Sequence, residues 1–409
     1  MLIAIPVFFL TIFIDWLVLY LKGKKDYYRF ADTITNLNLG VGSQAVGLMT
    51  KFILLGVYDY CYTHFAITDL GNAWYIWLAN VLLFDFIYYW AHRWGHEMNF
   101  FWGAHVVHHQ SEEYNLSVAL RQSWFHALIA FPLFVPMAFL GFNTFQLGAV
   151  AAFITLYQYW IHTKAIKLFP VWFEYIFNTP SHHRVHHGVN GKYLDKNHGA
   201  FLIIWDRMFG TFQQEEEEPD YGVTTRFQSL NPVWANFEYY ATMLNISKRM
   251  TNWQDKLKLL FARPGWLPEE LGGFQKPKEP EQNRTAFDTK VSLSSKIYVA
   301  AQFILISWGL VSLMMHFETL SVFYKVLFFS IMIMSLLICG AILENKSWVV
   351  KAEVTRLILA AISIPTLYYY QFFHWFWVVL PIAVMLFIVF NVWILVNYKK
   401  GEFTNEVTI

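Results

Sequence analysis

Histidine is the residue type whose number and spacing could do chemistry in this chain. Of its fifteen histidines, eleven lie between positions 92 and 187. Eight of these form one HxxxH and two HxxHH patterns, namely His92 and His96; His105, His108 and His109; and His183, His186 and His187. Side chains three or four residues apart share one face of a helix, where they can bind one ion, while the adjacent pair of HxxHH diverges enough to reach two ions.

These eight histidines indicate a metal centre. Burying so many imidazoles without a shared ligand would leave most of their ring nitrogens without hydrogen bonds. Imidazole binds iron, zinc, copper or nickel. A single structural zinc takes four ligands, usually including cysteine, and the two cysteines, Cys61 and Cys339, lie in or beside apolar stretches. Eight or nine histidines suit two ions with open positions; two irons that activate dioxygen are the favoured interpretation, with zinc as the alternative.

Other polar residues near these patterns are candidates for supporting roles. Asp85 lies seven residues before His92 on the same helix face, so its carboxylate could accept the distal N–H of a ligand imidazole and orient it. Glu97, directly after the first pattern, could act in the same way or carry a proton. His162 stands alone at the end of another span, at the same membrane depth. His182 adjoins the third pattern but is out of register, so we expect it beside the metals rather than bound to them.

A few further residues have less definite interpretations. Arg121 follows the second pattern in a segment that is polar on one side, and it could pair with an acid or anchor a lipid head group. No role is assigned to His126, His198 or Asp206.

The elements that position the histidines are membrane helices. The chain has 409 residues, of which 56% are hydrophobic and 14% charged, whereas soluble proteins carry about a quarter charged residues. A net charge of +1 without a basic block gives no indication of nucleic-acid binding. Segments approaching the roughly 20 residues of a membrane span lie at about 1–21, 37–57, 73–91, 125–141, 144–161, 296–316, 321–343, 354–372 and 373–397, of which 37–57 is the weakest.

Basic residues assign the orientation of these spans, because loops rich in Lys and Arg stay in the cytoplasm. Such residues follow the first span at 22–29, lie between later spans at 346–351 and follow the last span at 399–400. If all of these basic residues are cytoplasmic, the weak segment 37–57 must cross the membrane as well. The nine segments then cross it in alternating directions that agree with every basic loop. Every histidine pattern then faces the cytoplasm, in a bacterial inner membrane or an endoplasmic reticulum.

A polar stretch from about 211 to 295 divides the chain. It begins with the acidic run Glu215–Glu218, which we expect to be solvated surface, and ends with a Pro-, Lys- and Glu-rich linker. We therefore predict a catalytic part over 1–275, a linker over 276–295, and a C-terminal four-span part of unknown role over 296–409. The predicted fold class is all-α: a polytopic membrane protein with a cytoplasmic, histidine-rich di-metal cap.

The order and context of the histidine patterns resemble the fatty acid hydroxylase/sterol desaturase superfamily of membrane di-iron oxygenases. More narrowly, five stretches look like the alkylglycerol monooxygenases, a family that cleaves glyceryl ethers. These are YWAHRWGHE, HHQSEEYNLSVALRQS, YQYWIHT, NTPSHHRVHHG and LIIWDRMFGTF. They cover about residues 80–215 almost without a gap, whereas beyond about residue 276 the resemblance carries no motif.

The resemblance implies a metal cap in which two irons and dioxygen oxidise a lipid C–H bond. In alkylglycerol monooxygenases the ether-linked carbon is hydroxylated, and the hemiacetal collapses to an aldehyde and glycerol, with tetrahydrobiopterin as the reductant. Carried onto this sequence, the ligands are the eight pattern histidines and His162, with Glu97 close by. No haem-binding segment is visible, so an external electron donor is expected.

Two alternatives remain beside an ether-lipid monooxygenase. Another member of the same superfamily would be a sterol, fatty-acyl or carotenoid hydroxylase or desaturase. From a different class, a metal-binding transporter would suit the extra C-terminal spans. Transporter sites lie near the bilayer midplane, whereas these histidines collect at the ends of spans, which argues against transport.

Overall fold

A computed structural model describes residues 4–281 and 285–399 of the chain, and within these ranges the protein is helical. Its β-structure in the same ranges consists of two isolated bridges, Phe177 with Leu202 and Gly188 with Tyr221. The predicted all-α fold is thereby confirmed. Part of the predicted linker, 282–284, lies outside the described residues.

The chain divides into two compact units. The first is formed by the chain up to Gln228 together with Ala235–Phe287, and the second by Ser229–Trp234 together with the chain from Asp288 onward. The helices are, in chain order, α1 (Ala4–Leu21), α2 (Phe30–Phe65), α3 (Trp74–Glu97), α4 (Asn99–His109), α5 (His126–Ala130), α6 (Val135–Leu140), α7 (Thr144–Trp160), α8 (Val171–Ile176), α9 (Pro180–His186), α10 (Ile204–Phe209), α11 (Pro232–Lys248), α12 (Trp253–Phe261), α13 (Leu293–His316), α14 (Val322–Leu343), α15 (Val349–Gln371) and α16 (Phe373–Lys399). Of these, α13 to α16 belong to the second unit, and the predicted boundary at 276–295 stays a prediction.

Among the described residues, four helices are long and apolar enough to cross a membrane: α2, α13, α14 and α16 over Phe373–Tyr398. The segment predicted to be the weakest span, 37–57, therefore lies within one of the four. It is part of α2, whose 36 residues extend about 54 Å at 1.5 Å per residue. The nine-crossing threading and the cytoplasmic side stay predictions.

The predicted span at 125–141 is interrupted. It consists of α5, a short 3₁₀ helix over Phe131–Leu133, and α6, and the two α-helical pieces have five and six residues. Pro132 and Pro136 each lack the N–H that would continue an i to i−4 ladder. Gly141 then ends α6 at a φ of 103°, which only glycine adopts without strain.

The helices that contain the histidine patterns begin or end where the backbone changes direction sharply. Met98 takes an extended conformation with φ −130° and ψ 127°, and this residue separates α3 from α4. Pro180 starts α9, where its fixed φ suits a first turn and its missing N–H costs no hydrogen bond. As a result the HxxxH pattern ends one long helix, the first HxxHH pattern ends a shorter helix, and the second lies on a single short helix and its C-cap residue, His187.

Two glycines let α2 approach the segment that follows the second pattern. A Cβ at Gly40 would lie 2.6 Å from the Leu120 carbonyl oxygen, and a Cβ at Gly42 would lie 2.4 Å from the Trp124 ring. Both distances are far below van der Waals contact, so these positions require glycine. The close approach holds Arg121, between these two partners in sequence, against the histidine region.

The second unit contains a buried polar network. Arg356 and Glu353 form a two-pronged ion pair on α15, with N–O distances of 2.6 and 2.7 Å. Gln302 accepts from the same guanidinium at 3.1 Å, and the Tyr298 hydroxyl donates to Glu353. Because Glu353 has no exposed surface, these partners satisfy a charge that would otherwise be costly to bury.

Candidate metal centre

Nine buried histidines in the first unit form two adjacent groups. In each group one ring nitrogen per residue lies within 4.8 Å of the corresponding nitrogens of the others. The first group comprises His92, His96, His105, His109 and His186, and the second comprises His108, His162, His183 and His187. Both adjacent pairs of the HxxHH patterns are divided between the groups. The structure thus brings together all nine residues that were predicted as ligands, and each group could hold one metal ion.

Main-chain carbonyls orient four of these imidazoles. Each of the four places its Nδ1 within 2.7–3.0 Å of a carbonyl oxygen. The pairs are His92 with His198, His108 with Arg121, His162 with Gln158, and His186 with Lys196. Because a carbonyl oxygen can only accept, Nδ1 carries the hydrogen, and Nε2 of each neutral ring points into its group as a lone pair.

This arrangement fits a bound cation. In the second group the Nε2 atoms of His108 and His162 face each other at 3.2 Å. Both rings already donate through Nδ1, so two lone pairs meet with no hydrogen between them. Only a proton or a metal ion at this point relieves the repulsion.

Burial disfavours the proton. It lowers the pKa of His162 to about 3, against the opposing effect of the hydrogen bond to the Gln158 carbonyl. It likewise lowers the pKa of His186 to about 4. The pKa of His96 falls well below its usual value because of burial, followed by the neighbouring imidazoles of His186 and His198. Neutral imidazoles with inward lone pairs are the form that binds iron or zinc.

Unpartnered ring nitrogens support the same conclusion for both groups. Within the described chain, Nε2 of His96, Nε2 of His186 and Nε2 of His187 are buried without a hydrogen-bond partner. Burying a polar atom unpaired costs about 1–3 kcal/mol. Three such atoms in neighbouring positions are accounted for if each ligates an ion.

A loop over 195–199 supplies two of the orienting carbonyls. Asp195 and Asn197 adopt left-handed conformations with φ near 55°. The Asn197 side chain ties this loop to neighbouring chain, donating to the His182 carbonyl at 3.1 Å and accepting from the Gln213 amide at 2.8 Å. The Asp206 carboxylate accepts from two amides of the same loop at 2.7 Å each. Sequence reasoning assigned no role to this loop, although its Asp-Lys-Asn-His-Gly composition is typical of left-handed turns.

Arg184 fixes the position of α9. Its guanidinium makes two hydrogen bonds of 2.7 Å to Glu215 and donates to the carbonyls of Thr163 and Ile166. The segment after His162 is thereby held against the third histidine pattern. The expectation that the whole acidic run is solvated surface is wrong for Glu215, because the carboxylate is needed to pair a buried guanidinium.

Asp85 occupies a different place from the one predicted. Its carboxylate accepts from the amides of Phe201 and Leu202 and from the indole of Trp205, at 2.9–3.1 Å. The predicted hydrogen bond from His92 to this carboxylate is not formed, because the Nδ1–H of His92 donates to the His198 carbonyl instead. Asp85 therefore holds the chain that follows the 195–199 loop.

Glu97 pairs with two arginines. Its carboxylate lies 3.2 Å from the Arg93 guanidinium and 3.1 Å from that of Arg263. These ion pairs place Glu97 at the end of α3, next to His96. Its action as a proton carrier stays a prediction.

Arg121 is buried and bonded to neutral groups. It donates to the Val107 carbonyl at 2.7 Å and to the side chains of Asn36 and Gln110 at 3.0 Å each. Neither predicted role, an ion pair or a lipid anchor, matches these hydrogen bonds. Its own carbonyl oxygen orients His108 instead.

Three further histidines lie close to the two groups without joining them. The ring of His126 is 5.3 Å from that of His105, and the ring of His198 is 5.1 Å from that of His96. His182 packs edge-on against Phe212. The two histidine groups therefore border further imidazoles at His126 and His198.

Comparison with known proteins places this site in a family context. The fatty acid hydroxylase model matches residues 77–211. An alkylglycerol monooxygenase of Danio rerio is 35% identical over 87% of this chain and 80% of its own length. The Homo sapiens protein of the same name is also 35% identical, over 74% of this chain and 68% of its own length. A more distant relative, a Delta(7)-sterol 5(6)-desaturase of Gibberella zeae, is 24% identical over 52% of this chain and 60% of its own length. No solved structure matches.

Proposed function

Because the chain belongs to the alkylglycerol monooxygenase family and contains a fatty acid hydroxylase domain, we propose that it is a di-iron monooxygenase that cleaves ether lipids. Membership makes it a membrane lipid hydroxylase. The finer proposal concerns the two irons and the substrate, an alkylglycerol whose ether-linked carbon is hydroxylated. The products are a fatty aldehyde and a glycerol derivative.

The observation that carries the two-metal proposal is the facing pair of lone pairs on His108 and His162. Beside this pair, five more imidazoles form a second group of ligands. Two sites made entirely of imidazole, with no cysteine, suit iron in an oxidation reaction or zinc. The similarity to alkylglycerol monooxygenases favours iron.

The chain's own residues have a defined part in this chemistry. Two bound irons would supply dioxygen activation and oxidation of a C–H bond. The proposed ligands are His92, His96, His105, His108, His109, His162, His183, His186 and His187. Carbonyls of the 195–199 loop, of Arg121 and of Gln158 keep four rings in the metal-binding tautomer. Burial of all nine side chains excludes bulk water from the metals.

An external reductant completes the proposal. We propose reduced tetrahydrobiopterin as this reductant, delivered from the cytoplasm, the side on which the basic residues of the sequence predict the histidines to lie. Glu97 lies at the end of α3 and pairs with two arginines. We propose that Glu97 carries protons toward the metals. We also propose that Asp85, in the middle of α3, acts in support.

The test is product analysis with a defined lipid. Purified protein in nanodiscs is loaded with ferrous iron and given an alkylglycerol, reduced tetrahydrobiopterin and dioxygen. We expect a fatty aldehyde that depends on all of these components. Oxidation of a sterol, a fatty acyl chain or a carotenoid, with no aldehyde from the ether lipid, would assign the chain to another activity of the superfamily.

Metal analysis separates the oxygenase from a metal-binding transporter. Protein purified without oxygen should contain about two irons per chain, as a two-metal oxygenase site requires. Metal-free protein that remains fully active would contradict the proposal. Metal flux across a vesicle membrane, without lipid oxidation, would favour transport.

A further inference from the structure

Helix α12 presents an apolar stripe that the rest of the described chain leaves uncovered. Trp253, Leu257 and Phe261 are 65%, 51% and 61% exposed. They are spaced four residues apart, so at about 100° per residue they lie within about 80° of one another around the helix. Another side of the helix is packed, because Leu259 is buried in a core cluster with Met243.

Two lysines flank this stripe. Lys256 and Lys258 are exposed and lie about 100° to either side of Leu257. An amphipathic helix in a membrane interface has this arrangement: apolar and aromatic side chains enter the boundary of the acyl chains, and lysines on both sides reach back to the head groups.

The location of α12 agrees with such a position. The Asn99 amide donates to the Ala262 carbonyl at 2.9 Å, and its side chain donates to the Leu259 carbonyl at 2.9 Å. Arg263 pairs with Glu97, the last residue of α3. Glu97 lies six residues past the predicted end of its span, or about 9 Å at 1.5 Å per residue. With α3 crossing the membrane over 73–91 as the sequence predicts, this connection would lie at the depth of the lipid head groups.

The charge around α12 complements an anionic membrane surface. Between residues 245 and 270 five basic side chains stand against three acidic ones, Asp255, Glu269 and Glu270. The basic residues are Lys248, Arg249, Lys256, Lys258 and Arg263, and all five are exposed. Basic segments beside a span are attracted to anionic lipids.

We propose that α12 lies flat in the membrane interface on the histidine side of the bilayer, with Trp253, Leu257 and Phe261 among the lipids. It forms a peripheral anchor in addition to the membrane spans. Because α12 is tied to the end of α3, which carries His92 and His96, this anchor sets the height of the metal centre above the acyl chains. The inference rests on the membrane location of the chain and is independent of the oxidation chemistry.

The experiment measures lipid contact at Leu257 in the full-length protein. Leu257→Cys is introduced into a Cys61→Ala, Cys339→Ala background, labelled with NBD and reconstituted in nanodiscs containing phosphatidylglycerol. The matched control is Gln214→Cys in the same background, because Gln214 is exposed and lies beside the acidic run. We expect brominated acyl chains to remove most of the NBD emission at Leu257, with little quenching by aqueous iodide, and the opposite pattern at Gln214.

Other outcomes overturn the inference. Quenching of the Leu257 label by iodide alone would show that the stripe faces water, and protection from both quenchers would show a protein partner or a second copy. A parallel measurement uses the unmodified protein and a lipid with a photoreactive acyl chain. Mass spectrometry should find cross-links on the peptide that contains Trp253 and none on the peptide that contains Gln214; absence of the former cross-links would equally contradict the proposal.

Discussion

For a histidine whose Nδ1 faces a main-chain carbonyl, the direction of that hydrogen bond decides whether its Nε2 can bind a metal. A ring that donates from Nδ1 to a carbonyl has its Nε2 lone pair free for a metal, as His108 and His162 do. His182 lies on the same helix as His186 and is also buried, yet it is in neither group. These two neighbours therefore provide a matched pair for mutagenesis.

We expect His186→Ala to abolish turnover and to lower bound metal from about two ions per chain to about one. The reason is that His186 supplies a nitrogen to the five-histidine group, whereas the other group keeps all its ligands. Metal content and aldehyde formation are measured on protein extracted from the membrane. His182→Ala, the control, should retain both metals, and full metal content in His186→Ala would show that this residue is not a ligand.

Asp206 holds the 195–199 loop, whose carbonyls orient two of the proposed metal ligands. Asp206→Ala leaves the amides of His198 and Gly199 without their acceptor, which should cost about 2–4 kcal/mol of unfolding free energy. We expect a lower thermal midpoint and weaker metal binding, because the carbonyl that orients His92 belongs to this loop. Asp206→Asn keeps one acceptor oxygen and should lose less. Equal stability of Asp206→Ala and the parent protein would refute this role.

At the scale of elements, several of the proposed metal ligands lie on short helices, and contacts with other parts of the chain hold these helices in position. Helix α9 has seven residues, too few to be stable alone. Arg184 and Glu215 hold it in place. Among the C-terminal helices, α15 contains the buried ion pair of Glu353 and Arg356.

Arg356→Met should strongly destabilise the second unit. It leaves the carboxylate of Glu353 buried without its partner, at a cost of about 3–5 kcal/mol. The thermal midpoint of purified protein, followed by intrinsic fluorescence, measures the loss. The double variant Glu353→Gln with Arg356→Met removes both charges and should recover much of the stability. A single variant as stable as the double variant would contradict this account.

At the scale of the whole molecule, the buried histidines make stability depend on pH. Burial lowers the pKa of His162 to about 3 and that of His186 to about 4, whereas in the unfolded chain both titrate near 6.5. Between these values the unfolded chain binds more protons than the folded chain, so stability rises with pH. It is fully present above about pH 6.5 and is lost as the pH falls toward 4 and 3.

We therefore expect the thermal midpoint of chelator-treated protein to fall steadily from about pH 7 to pH 4. His162→Gln, which removes one of these titrating groups, should show a shallower decline. A midpoint that stays constant over this range would mean that the imidazoles are not buried neutral in the metal-free protein.

Much of this molecule follows from local sequence. Spacings of three and four residues place histidines on one helix face, so HxxxH and HxxHH already predict shared ions. The apolar composition predicts a helical membrane protein, and the motif order predicts the family. Each of these inferences depends on short-range periodicity or composition, which the chain displays directly.

Tertiary structure decided how the histidines are shared and what orients them. Only folding brings the 108–109 and 186–187 pairs together and divides each between two groups. The orienting carbonyls of His198 and Lys196 come from a loop far along the chain from His92, and a carbonyl has no sequence signature because every residue has one. For the same reason Asp85 was predicted to contact an imidazole, although it binds the chain near Phe201. Side-chain identity limits which atoms can bind, whereas long-range packing determines which of them meet.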